Sequence, residues 1–547
     1  MTLPPGCRAG GKDEKAVYCS YPPVATPGVS AKIAVFAPGG LGQSSNSGSD
    51  DGYYCTPVAA AHIAVSWKLF GDGVFQTGDW CHWWQSENQN DLAMSRHFPI
   101  FEDSMNTLIK NIGLLAGISD APRKEGAAMN EVTCLRDAWL LIEDGIIADF
   151  GDAATVCRPN CPQQQQDILG ETTLCGQPAR QETANGAGRQ TAVIDAGGAM
   201  LMPAFCDSHT HIVFAGSREQ EFEDKIRGLS YAEIAARGGG ILNSADRLHG
   251  TSEDELFRQS MGRVREMMAK GTGAIEIKSG YGLSTEDELK MLRVIRRIRE
   301  SVPAEVRATF LGAHAVARGM SREDYVRKVC EEMIPAVAAE KLADFVDVFC
   351  EEGFFTPDDT DRILSEGERF GLRAKLHANQ LHVSGGVQVG VKHGALSVDH
   401  LERTGEAEEE CLKGSSTMPT MLPGASFFLR EPYGRAKDYI EHGLGVALAS
   451  DYNPGSSPSG DMRFVMALGC IQMRLTPEQA FNAVTLNSAY AMGVSDRVGS
   501  IARGKFANLI LTLPEFNSIG SIAYLHQTPF IRKVFLRGRE YGVSAIS

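Results

Sequence analysis

The feature that most constrains the fold is an alternation of short apolar runs with amphipathic stretches over the second half of the chain. The amphipathic stretches include "TEDELKMLRVIRRIRESV", "REDYVRKVCEEMIPAVAAEKLA" and "PDDTDRILSEGERFG", which are typical of surface helices. Eight strands joined by helical crossovers favour a closed (β/α)8 barrel, an α/β fold of the TIM-barrel type, over an open sheet. The predicted strands are 199–206, 273–279, 307–313, 345–350, 372–377, 396–399, 416–422 and 445–450.

Polar residues suited to catalysis stand at the ends of most of these strands. In such a barrel the carboxyl ends of all strands meet on one face, where the active site lies. A single buried histidine is more often a core residue than a metal ligand, but repeated placement at strand ends is hard to explain by packing. The residues at these ends are His209, His211, Glu276, Lys278, Tyr281, His314, His377, His400 and Asp451.

The pair His209 and His211 is the centre of a predicted metal site. Residues two apart on a strand point to the same side, so both imidazoles can bind one divalent ion. His377 and Asp451, from two other strands, complete a set of four ligands. Nitrogen and carboxylate ligands suit one zinc or ferrous ion, and the ligand types do not choose between these metals.

The predicted ligand set indicates hydrolytic chemistry. A divalent ion lowers the pKa of a bound water towards ~7 and makes hydroxide available at neutral pH. We expect Asp451 to accept the proton of this water and return it to a leaving nitrogen. His400 is expected to polarise the substrate carbonyl or to stabilise its developing oxyanion.

The segments that flank the barrel are expected to form a smaller domain. Residues 105–200 contain two strand-like stretches, "NTLIKNIGLLAGI" and "DAWLLIEDGIIADFGDA", with a turn at Asp144-Gly145. Residues 499–547 are again rich in strand-forming residues. We expect them to return and complete a small β-sandwich domain beside the barrel, which spans 201–498.

Two further segments differ in composition from the rest of the chain. Residues 1–104 are rich in Gly, Ser and Pro, and this low-complexity extension is predicted to be disordered or irregular. The same segment holds four of the five Trp residues, so a small docking element is an alternative. Residues 157–190, rich in Pro and Gln, predict a flexible surface insertion. The sequence gives no role to either segment.

Charge and hydropathy exclude several kinds of partner. The formal net charge of −15 argues against nucleic acid, which requires clustered Lys and Arg. No uninterrupted apolar run approaches the ~18 residues that a membrane span needs, and the first residues do not resemble a secretory signal. Cys206, Cys330, Cys350 and Cys470 lie in apolar or helix-like segments, where reduced thiols are expected. We therefore predict a cytoplasmic protein that acts on a small molecule.

The residues at the strand ends resemble those of the amidohydrolase superfamily. The similarity consists of His-x-His after the first strand, His after the fifth and sixth strands, and Asp after the eighth. The version of that superfamily with a carbamylated lysine uses a Lys from the fourth strand. The fourth strand here ends "FCEE" without Lys, so the version with one metal ion is the better match.

Longer motifs resemble the imidazolonepropionase family within that superfamily. The resemblance extends from about residue 105 to the C terminus. It implies hydrolysis of 4-imidazolone-5-propanoate to N-formimidoyl-L-glutamate in histidine degradation, with a homodimer as the expected assembly. The motifs are "DSHTHIVFAGSREQEFE", "GGGI", "EIKSGYGL", "TFLGAHAV", "VDVFCEEG", "KLHANQL", "SVDHLE", "MLPGASFFLRE" and "ASDYNPGSSP".

The same resemblance implies a set of substrate contacts. Arg218 resembles a carboxylate clamp, because guanidinium matches a propanoate group bidentately; the alternative is a surface pair with a neighbouring glutamate. Glycines beside Tyr281 let backbone approach a ligand, whereas Tyr231 could equally be a core aromatic. Gln380 cannot carry a proton and is expected to hydrogen-bond the substrate ring. The implied substrate-binding residues are Arg218, Tyr231, Tyr281, His314, Gln380, Asn453, Gly455 and Ser456, and the catalytic ones are Asp451, His400 and Gln380.

Two other functions remain as alternatives. Another amidohydrolase with one metal ion, such as a cytosine or guanine deaminase, would use almost the same ligands. A nucleobase, however, has no propanoate group for Arg218 to bind. A scaffold protein that had lost its metal would usually lack some of the ligands, and this chain has all four.

Overall fold

The computed structural model describes residues 106–153, 191–229 and 239–542, together with Glu233 and three short strands near the N terminus. The insertion predicted at 157–190 lies outside the described residues. By its internal contacts the chain divides into two compact units.

The first unit spans Met1–His97. Its described part is an antiparallel sheet of β1 (Cys7–Ala9), β2 (Ala16–Cys19) and β3 (Ala34–Phe36), in that order. The prediction of a disordered or irregular extension over 1–104 otherwise falls outside the described residues.

The second unit, Phe98–Ser547, begins with strands of a small β domain. The longest of them pairs with β5 on one side and with β7 and β8 on the other. The predicted turn at Asp144-Gly145 is confirmed: it joins β5 to β6, and both residues have positive φ, 50° and 80°, as tight hairpin turns require. These strands are β4 (Asn106–Ile118), β5 (Thr133–Glu143), β6 (Ile146–Asp152), β7 (Thr191–Asp195) and β8 (Met200–Pro203).

The next nine strands form the predicted barrel. All pair in parallel, and β13 and β14 are two pieces of one barrel strand, interrupted at Lys375. The ring closes where Thr210 bridges Tyr452 and where the Asp451 amide donates to the His209 carbonyl at 3.0 Å. The strands are β9 (Phe205–Thr210), β10 (Thr272–Lys278), β11 (Glu305–Ala313), β12 (Phe345–Cys350), β13 (Arg373–Ala374), β14 (Leu376–Ala378), β15 (Ser397–His400), β16 (Met418–Met421) and β17 (Ala447–Leu448).

Three C-terminal strands complete the small domain. They are β18 (Leu509–Thr512), β19 (Ile531–Leu536) and β20 (Arg539–Tyr541), and the sheet runs β20-β19-β18-β8-β4-β5-β6. Alternate residues of this sheet serve two cores: Leu509 and Leu511 pack within the small domain, whereas Ile510 packs against the barrel. The prediction of a (β/α)8 barrel with a small β domain built from flanking segments is confirmed.

The first predicted strand, 199–206, is wrong in its bounds. The apolar run contains two strands that belong to different sheets, because β8 pairs with β4 and β18 while β9 pairs with β10. The chain changes sheets at Ala204, whose amide donates to the Asn508 carbonyl at 2.9 Å. Both strands are buried, so the apolar pattern continues through the change. His209 therefore lies inside a strand and not after one.

The helices lie between the barrel strands as the sequence predicted. The predicted stretches at 285–302, 322–343 and 357–371 contain the helices at Thr285–Ser301, 322–339 (with a π-helical turn inside it) and Pro357–Arg369, and Ser284 and Thr356 are N-caps. A 3-10 helix spans Gly126–Asn130, and a π-helical turn at Val329–Met333 joins α5 to α6. The helices are α1 (Glu219–Ile226), α2 (Ile241–His249), α3 (Glu253–Ala269), α4 (Thr285–Ser301), α5 (Arg322–Lys328), α6 (Ile334–Ala339), α7 (Pro357–Arg369), α8 (Gly386–Lys392), α9 (Glu406–Leu412), α10 (Pro423–Leu429), α11 (Ala436–Glu441), α12 (Met462–Ile471), α13 (Pro477–Val484), α14 (Leu486–Ala491) and α15 (Ile519–Tyr524).

None of the helices in the described part of the chain has the length and apolar character needed to cross a membrane. Of the predicted thiols, Cys206, Cys330 and Cys350 are buried and Cys470 is partly buried, and none of the four forms a disulfide.

Candidate active site

Three histidines and one aspartate meet at the carboxyl end of the barrel. The Nε2 atoms of His209 and His211 lie 3.2 Å apart, and Nε2 of His377 lies 3.3 Å from that of His211. Oδ1 of Asp451 lies 3.6 Å from Nε2 of both His209 and His211. All four side chains are buried. The structure thus brings together the four residues that the sequence predicted as metal ligands.

The spacing of these atoms fits one metal ion. A tetrahedral ion with bonds of ~2.1 Å has its ligand atoms about 3.4 Å apart, close to the spacings observed. Nδ1 of His209 lies 2.7 Å from Asp399, and Nδ1 of His377 lies 3.0 Å from Asp347. Each carboxylate keeps the ring proton on Nδ1, so the lone pair of Nε2 points into the group of four.

Burial sets the charge of the ligands. It lowers the pKa of His209, His211 and His377, which keeps the imidazoles in the neutral form that binds metal. The nearby Lys278 ammonium adds to the effect at His209. Burial also raises the pKa of Asp451 to about 6 because the carboxylate loses its hydration, and the neighbouring His400 partly opposes this shift.

A layer of buried charges lies beneath the ligands. The Lys278 ammonium donates to Glu276 and Asp347 at 2.9 Å each and lies 3.7 Å from Asp399. Burial alone would lower the pKa of Lys278, but the carboxylates, Asp347 first, raise it. Lys375 donates to Ser397 at 2.7 Å in the same layer. Lys278 thus links the two carboxylates that orient His209 and His377.

A cavity of about 700 Å³ opens beside the ligand group. Phe349, Phe354 and Phe428 are among its apolar walls, which is typical of a small-molecule site. Tyr231 lies outside the described residues. The sequence-predicted residues that line the cavity are His211, Arg218, Tyr281, His314, His377, Gln380, His400, Asp451, Asn453, Gly455 and Ser456.

Comparison with known proteins decides the family. The amidohydrolase family model matches residues 200–540. The imidazolonepropionase of Flavobacterium johnsoniae is 47% identical over 439 residues, which cover 80% of this chain and 100% of that protein. This chain belongs to the imidazolonepropionase family of amidohydrolases. The Pseudomonas putida imidazolonepropionase is 44% identical over 320 residues, or 58% of this chain and 80% of that one.

The fold of this amidohydrolase also has neighbours among solved structures. An adenosine deaminase from Xanthomonas campestris, solved with bound zinc, aligns with a TM-score of 0.53 at 15% identity, over 80% of this chain and 92% of that one. A likeness at that identity shows the shared fold.

In this amidohydrolase Arg218 is held between Glu221 and Gly455. Nη2 donates to Glu221 at 2.5 Å, and Glu221 also accepts from Gly240 and Asn243. A Cβ at position 455 would lie 2.2 Å from Nη1, so glycine leaves the room that the guanidinium occupies. Nε is buried and has no hydrogen-bond partner among the described residues. Arg218 therefore pairs with a glutamate and lines the cavity as well.

Tyr281 is placed by a turn that a buried glutamate fixes. Glu288, on α4, accepts from the amides of Gly282 and Leu283 at 2.7 and 3.0 Å and from Gly280 at 3.0 Å. Gly280 has a φ of 107°, which a residue with a side chain rarely adopts. Burial raises the pKa of Tyr281, so its hydroxyl stays protonated and can donate to a ligand.

His314 packs directly on the ligand group. Its ring stacks on His211 with centroids 5.1 Å apart and planes at 16°. Nδ1 lies 3.0 Å from the Gly280 carbonyl and must carry the proton, which leaves Nε2 as an acceptor. Burial, and then the neighbouring His377, lower the pKa of His314 to about 3, so the imidazole is neutral.

His400 differs from the other histidines of the site in the direction of its pKa shift, which is upward. Burial alone would lower the pKa of His400, but the carboxylate of Glu402, at 3.4 Å, and that of Asp451 raise it. His400 has a φ of 85° and Asp451 a φ of 53°, and strained backbone of this kind is common where side chains are held for function. Nitrogens of His209, His377 and His400 also lie within 4.8 Å of one another, so His400 stands directly beside the ligand group.

The loop after Asp451 is held by hydrogen bonds among its own residues. Oδ1 of Asn453 accepts from the amides of Gly455 and Ser456 at 2.8 Å each. Nδ2 of Asn453 donates to the Asp451 carbonyl and to Ser456 Oγ, at 2.7 Å each. Ser456 in turn donates to Oδ2 of Asp451 at 3.2 Å. Asn453 thus fixes the loop that places both Asp451 and Gly455.

Sequence reasoning missed four residues of this site. Asp347 lies within the strand "FVDVFC", and Asp399 lies within the strand "SVDH". A charged residue inside a short buried strand indicates a role in the protein interior. Glu288 shares the apolar stripe of α4 with buried Met291 and Leu292, which is a similar signal. The fourth residue, a cavity-lining lysine on α1, stands in a helix rich in charges that gives no such signal.

Proposed function

We propose that this amidohydrolase hydrolyses the cyclic amide of 4-imidazolone-5-propanoate to N-formimidoyl-L-glutamate, a step of histidine degradation. One observation carries the proposal: a single cavity is lined by the ligand group, through His211, His377 and Asp451, and by Arg218. The first can hold a hydrolytic metal, and the second can bind the propanoate group of this substrate.

The proposed cofactor is one divalent ion, zinc or iron, held by His209, His211, His377 and Asp451. The spacing and protonation of these residues fit such an ion. Its chemistry would be that of a Lewis acid that makes water nucleophilic near neutral pH.

In the proposed reaction Asp451 transfers the proton and His400 stabilises the developing negative charge. Water adds its oxygen to the ring carbonyl carbon, and Asp451 takes a proton from it. His400, whose pKa the Glu402 carboxylate raises, donates a hydrogen bond to the carbonyl oxygen as negative charge develops there. The bond from this carbon to the ring nitrogen breaks, and Asp451 returns the proton to that nitrogen. The products are the new carboxylate and the formimidoyl group.

The remaining cavity residues are proposed to orient the substrate. Arg218 binds the propanoate carboxylate, and Tyr281 donates from its protonated hydroxyl. Neutral His314 and the Gln380 amide contact the ring. The further proposed contacts are Tyr231 and the loop residues Asn453, Gly455 and Ser456.

Turnover by two variants tests this function. Loss of the 4-imidazolone-5-propanoate absorbance is followed for wild type, Arg218→Ala and Asp451→Asn, each loaded with metal. We expect Asp451→Asn to be inactive while it keeps its fold by circular dichroism, and Arg218→Ala to show a raised KM. Full activity of Arg218→Ala would remove the substrate assignment, and near-normal turnover by Asp451→Asn would remove the mechanism.

The same variants address the alternative of a nucleobase deaminase. Deaminase neighbours at 15% identity share the fold, and a nucleobase would leave the Arg218 guanidinium without an anion. We also propose a cytoplasmic homodimer. The free buried thiols of Cys206 and Cys350 suit a reducing compartment, and light scattering of the purified protein measures the assembly.

A further inference from the structure

The side chains of Lys225 and Arg218, from opposite ends of α1, both contact Gly455. Lys225 follows Arg218 by seven residues, which is two helical turns, so the two side chains leave the same face of the helix. Nζ of Lys225 donates to the Gly455 carbonyl at 3.0 Å, and the Arg218 guanidinium packs against the Cα of the same glycine. Both side chains line the cavity.

The charges around this point do not balance. Arg218 and Lys225 contribute two positive charges, and Glu221, paired with Arg218, contributes one negative charge. Glu431, which also lines the cavity, is paired with Arg403 at 2.7 Å. The Arg218–Lys225–Glu221 cluster is therefore left with one positive charge in a partly buried site, which matches a ligand with one carboxylate.

Burial and proximity put the two cations under mutual repulsion. Burial, and then the Arg218 charge, lower the pKa of Lys225. An anion between them would reverse both effects. Lys225 uses one N–H on Gly455 and has two more to donate, while Nε of Arg218 has no partner among the described residues. The donors for a carboxylate are thus present on both side chains.

We propose that Lys225 is a second carboxylate-binding group, which holds the propanoate of the substrate together with Arg218 and selects against uncharged rings. The inference rests on the proposed function for the identity of the substrate. It extends that function because the anion site then needs two cations: Arg218 supplies planar, directional donors, and Lys225 supplies the charge that Glu221 would otherwise cancel.

Kinetics of matched variants test the inference. Lys225→Met keeps the length and apolar stem of the side chain but removes its charge, and Lys225→Arg restores a cation. Arg227→Met is the control, because Arg227 is an exposed cation of the same helix, paired with Glu223. We expect KM for 4-imidazolone-5-propanoate to rise about 10- to 100-fold in Lys225→Met, with kcat within about 3-fold, partial rescue in Lys225→Arg and no change in Arg227→Met. An unchanged KM in Lys225→Met overturns the inference.

A binding experiment separates this inference from the proposed function. Imidazole-4-propanoate and its neutral amide are titrated into the metal-loaded, full-length protein by calorimetry. We expect wild type to bind the acid more tightly than the amide, and Lys225→Met to lose most of that difference while it binds the amide normally. If wild type fails to hydrolyse 4-imidazolone-5-propanoate, the proposed function is wrong. The comparison of acid and amide binding still tests whether Lys225 binds a carboxylate. Equal binding of acid and amide by wild type, or an undiminished preference in Lys225→Met, overturns the inference.

Discussion

Nδ1 of His377 lies 3.0 Å from a carboxylate oxygen of Asp347. Oδ1 of this carboxylate accepts from the backbone amide of His377 at 3.0 Å and also lies 3.1 Å from Nδ1, so one carboxylate holds both the ring and the main chain of this ligand. The Lys278 ammonium, at 2.9 Å, fixes Asp347 in turn. The orientation of His377 is therefore determined by residues that would not touch a metal.

Replacement of Asp347 by Asn should weaken metal binding by roughly 10- to 100-fold. The amide would turn an N–H donor towards either His377 or Lys278, both of which need an acceptor. Competition with a chromophoric chelator measures the affinity. Asp361→Asn is the control, because Asp361 accepts from His393 at 2.8 Å on the surface. Equal affinities for wild type and Asp347→Asn would contradict this role.

Much of the fold and the ligand set could be predicted because the signals are local. Helical and strand periodicities are visible in short windows, and four ligands at the ends of apolar strands are placed together by the topology of a barrel alone. His209, His211, His377 and Asp451 needed no knowledge of side-chain packing.

What could not be predicted depends on pairing between distant segments. The change of sheets at Ala204 is specified by Asn508, about three hundred residues away, and nothing in the local apolar pattern marks it. Lys225 stands in a helix whose residues are mostly charged. Its contact with Gly455 follows from the way α1 lies on the barrel, which one sequence does not show.

Lys278→Met should destabilise the protein by roughly 3–5 kcal/mol, because the buried carboxylates of Glu276 and Asp347 lose their shared cation. Urea unfolding of the metal-free protein measures the loss. Lys392→Met is the control: Lys392 pairs with Asp361 at an exposed site, where such pairs contribute about 1 kcal/mol or less. If the free energy of unfolding fell by a similar amount in the two variants, the buried carboxylates would not need Lys278 for their stability.

Glu288→Gln should lower kcat/KM by roughly 10-fold while metal content stays unchanged. Three backbone amides of the Tyr281 turn donate to this carboxylate, and charged acceptors contribute about 1.5–3 kcal/mol. The turn would loosen and Tyr281 would lose its position. Steady-state kinetics and metal analysis are compared with those of Glu286→Gln, an exposed neighbour. If Glu288→Gln lost its metal, the fall in kcat/KM would come from the metal ligands and not from the position of Tyr281.

Metal affinity should fall as pH is lowered, with the pH dependence expected when one of the four ligands, the Asp451 carboxylate, takes up a proton. Burial lowers the pKa of His209, His211 and His377, so these ligands stay neutral as pH falls through ~6.5, where free imidazole protonates. Burial raises the pKa of Asp451 to about 6, so below that pH a proton must leave Asp451 when metal binds. Log Kd, measured by chelator competition from pH 7.5 to 5, should rise as pH falls below about 6, with a slope against pH that approaches −1. A slope near −3 would mean that the histidines titrate normally.

Gly455→Ala should raise KM for 4-imidazolone-5-propanoate by roughly 10-fold and change kcat little. A Cβ at this position would lie 2.2 Å from Nη1 and 2.5 Å from Cζ of Arg218, so the guanidinium must move although the backbone can stay. A displacement of about 1 Å is enough to impair a bidentate contact. Gly262→Ala in α3 is the control, because a Cβ there meets no atom within 4 Å and a helix favours alanine. An unaltered KM in Gly455→Ala would show that Arg218 does not bind the substrate from the position seen here.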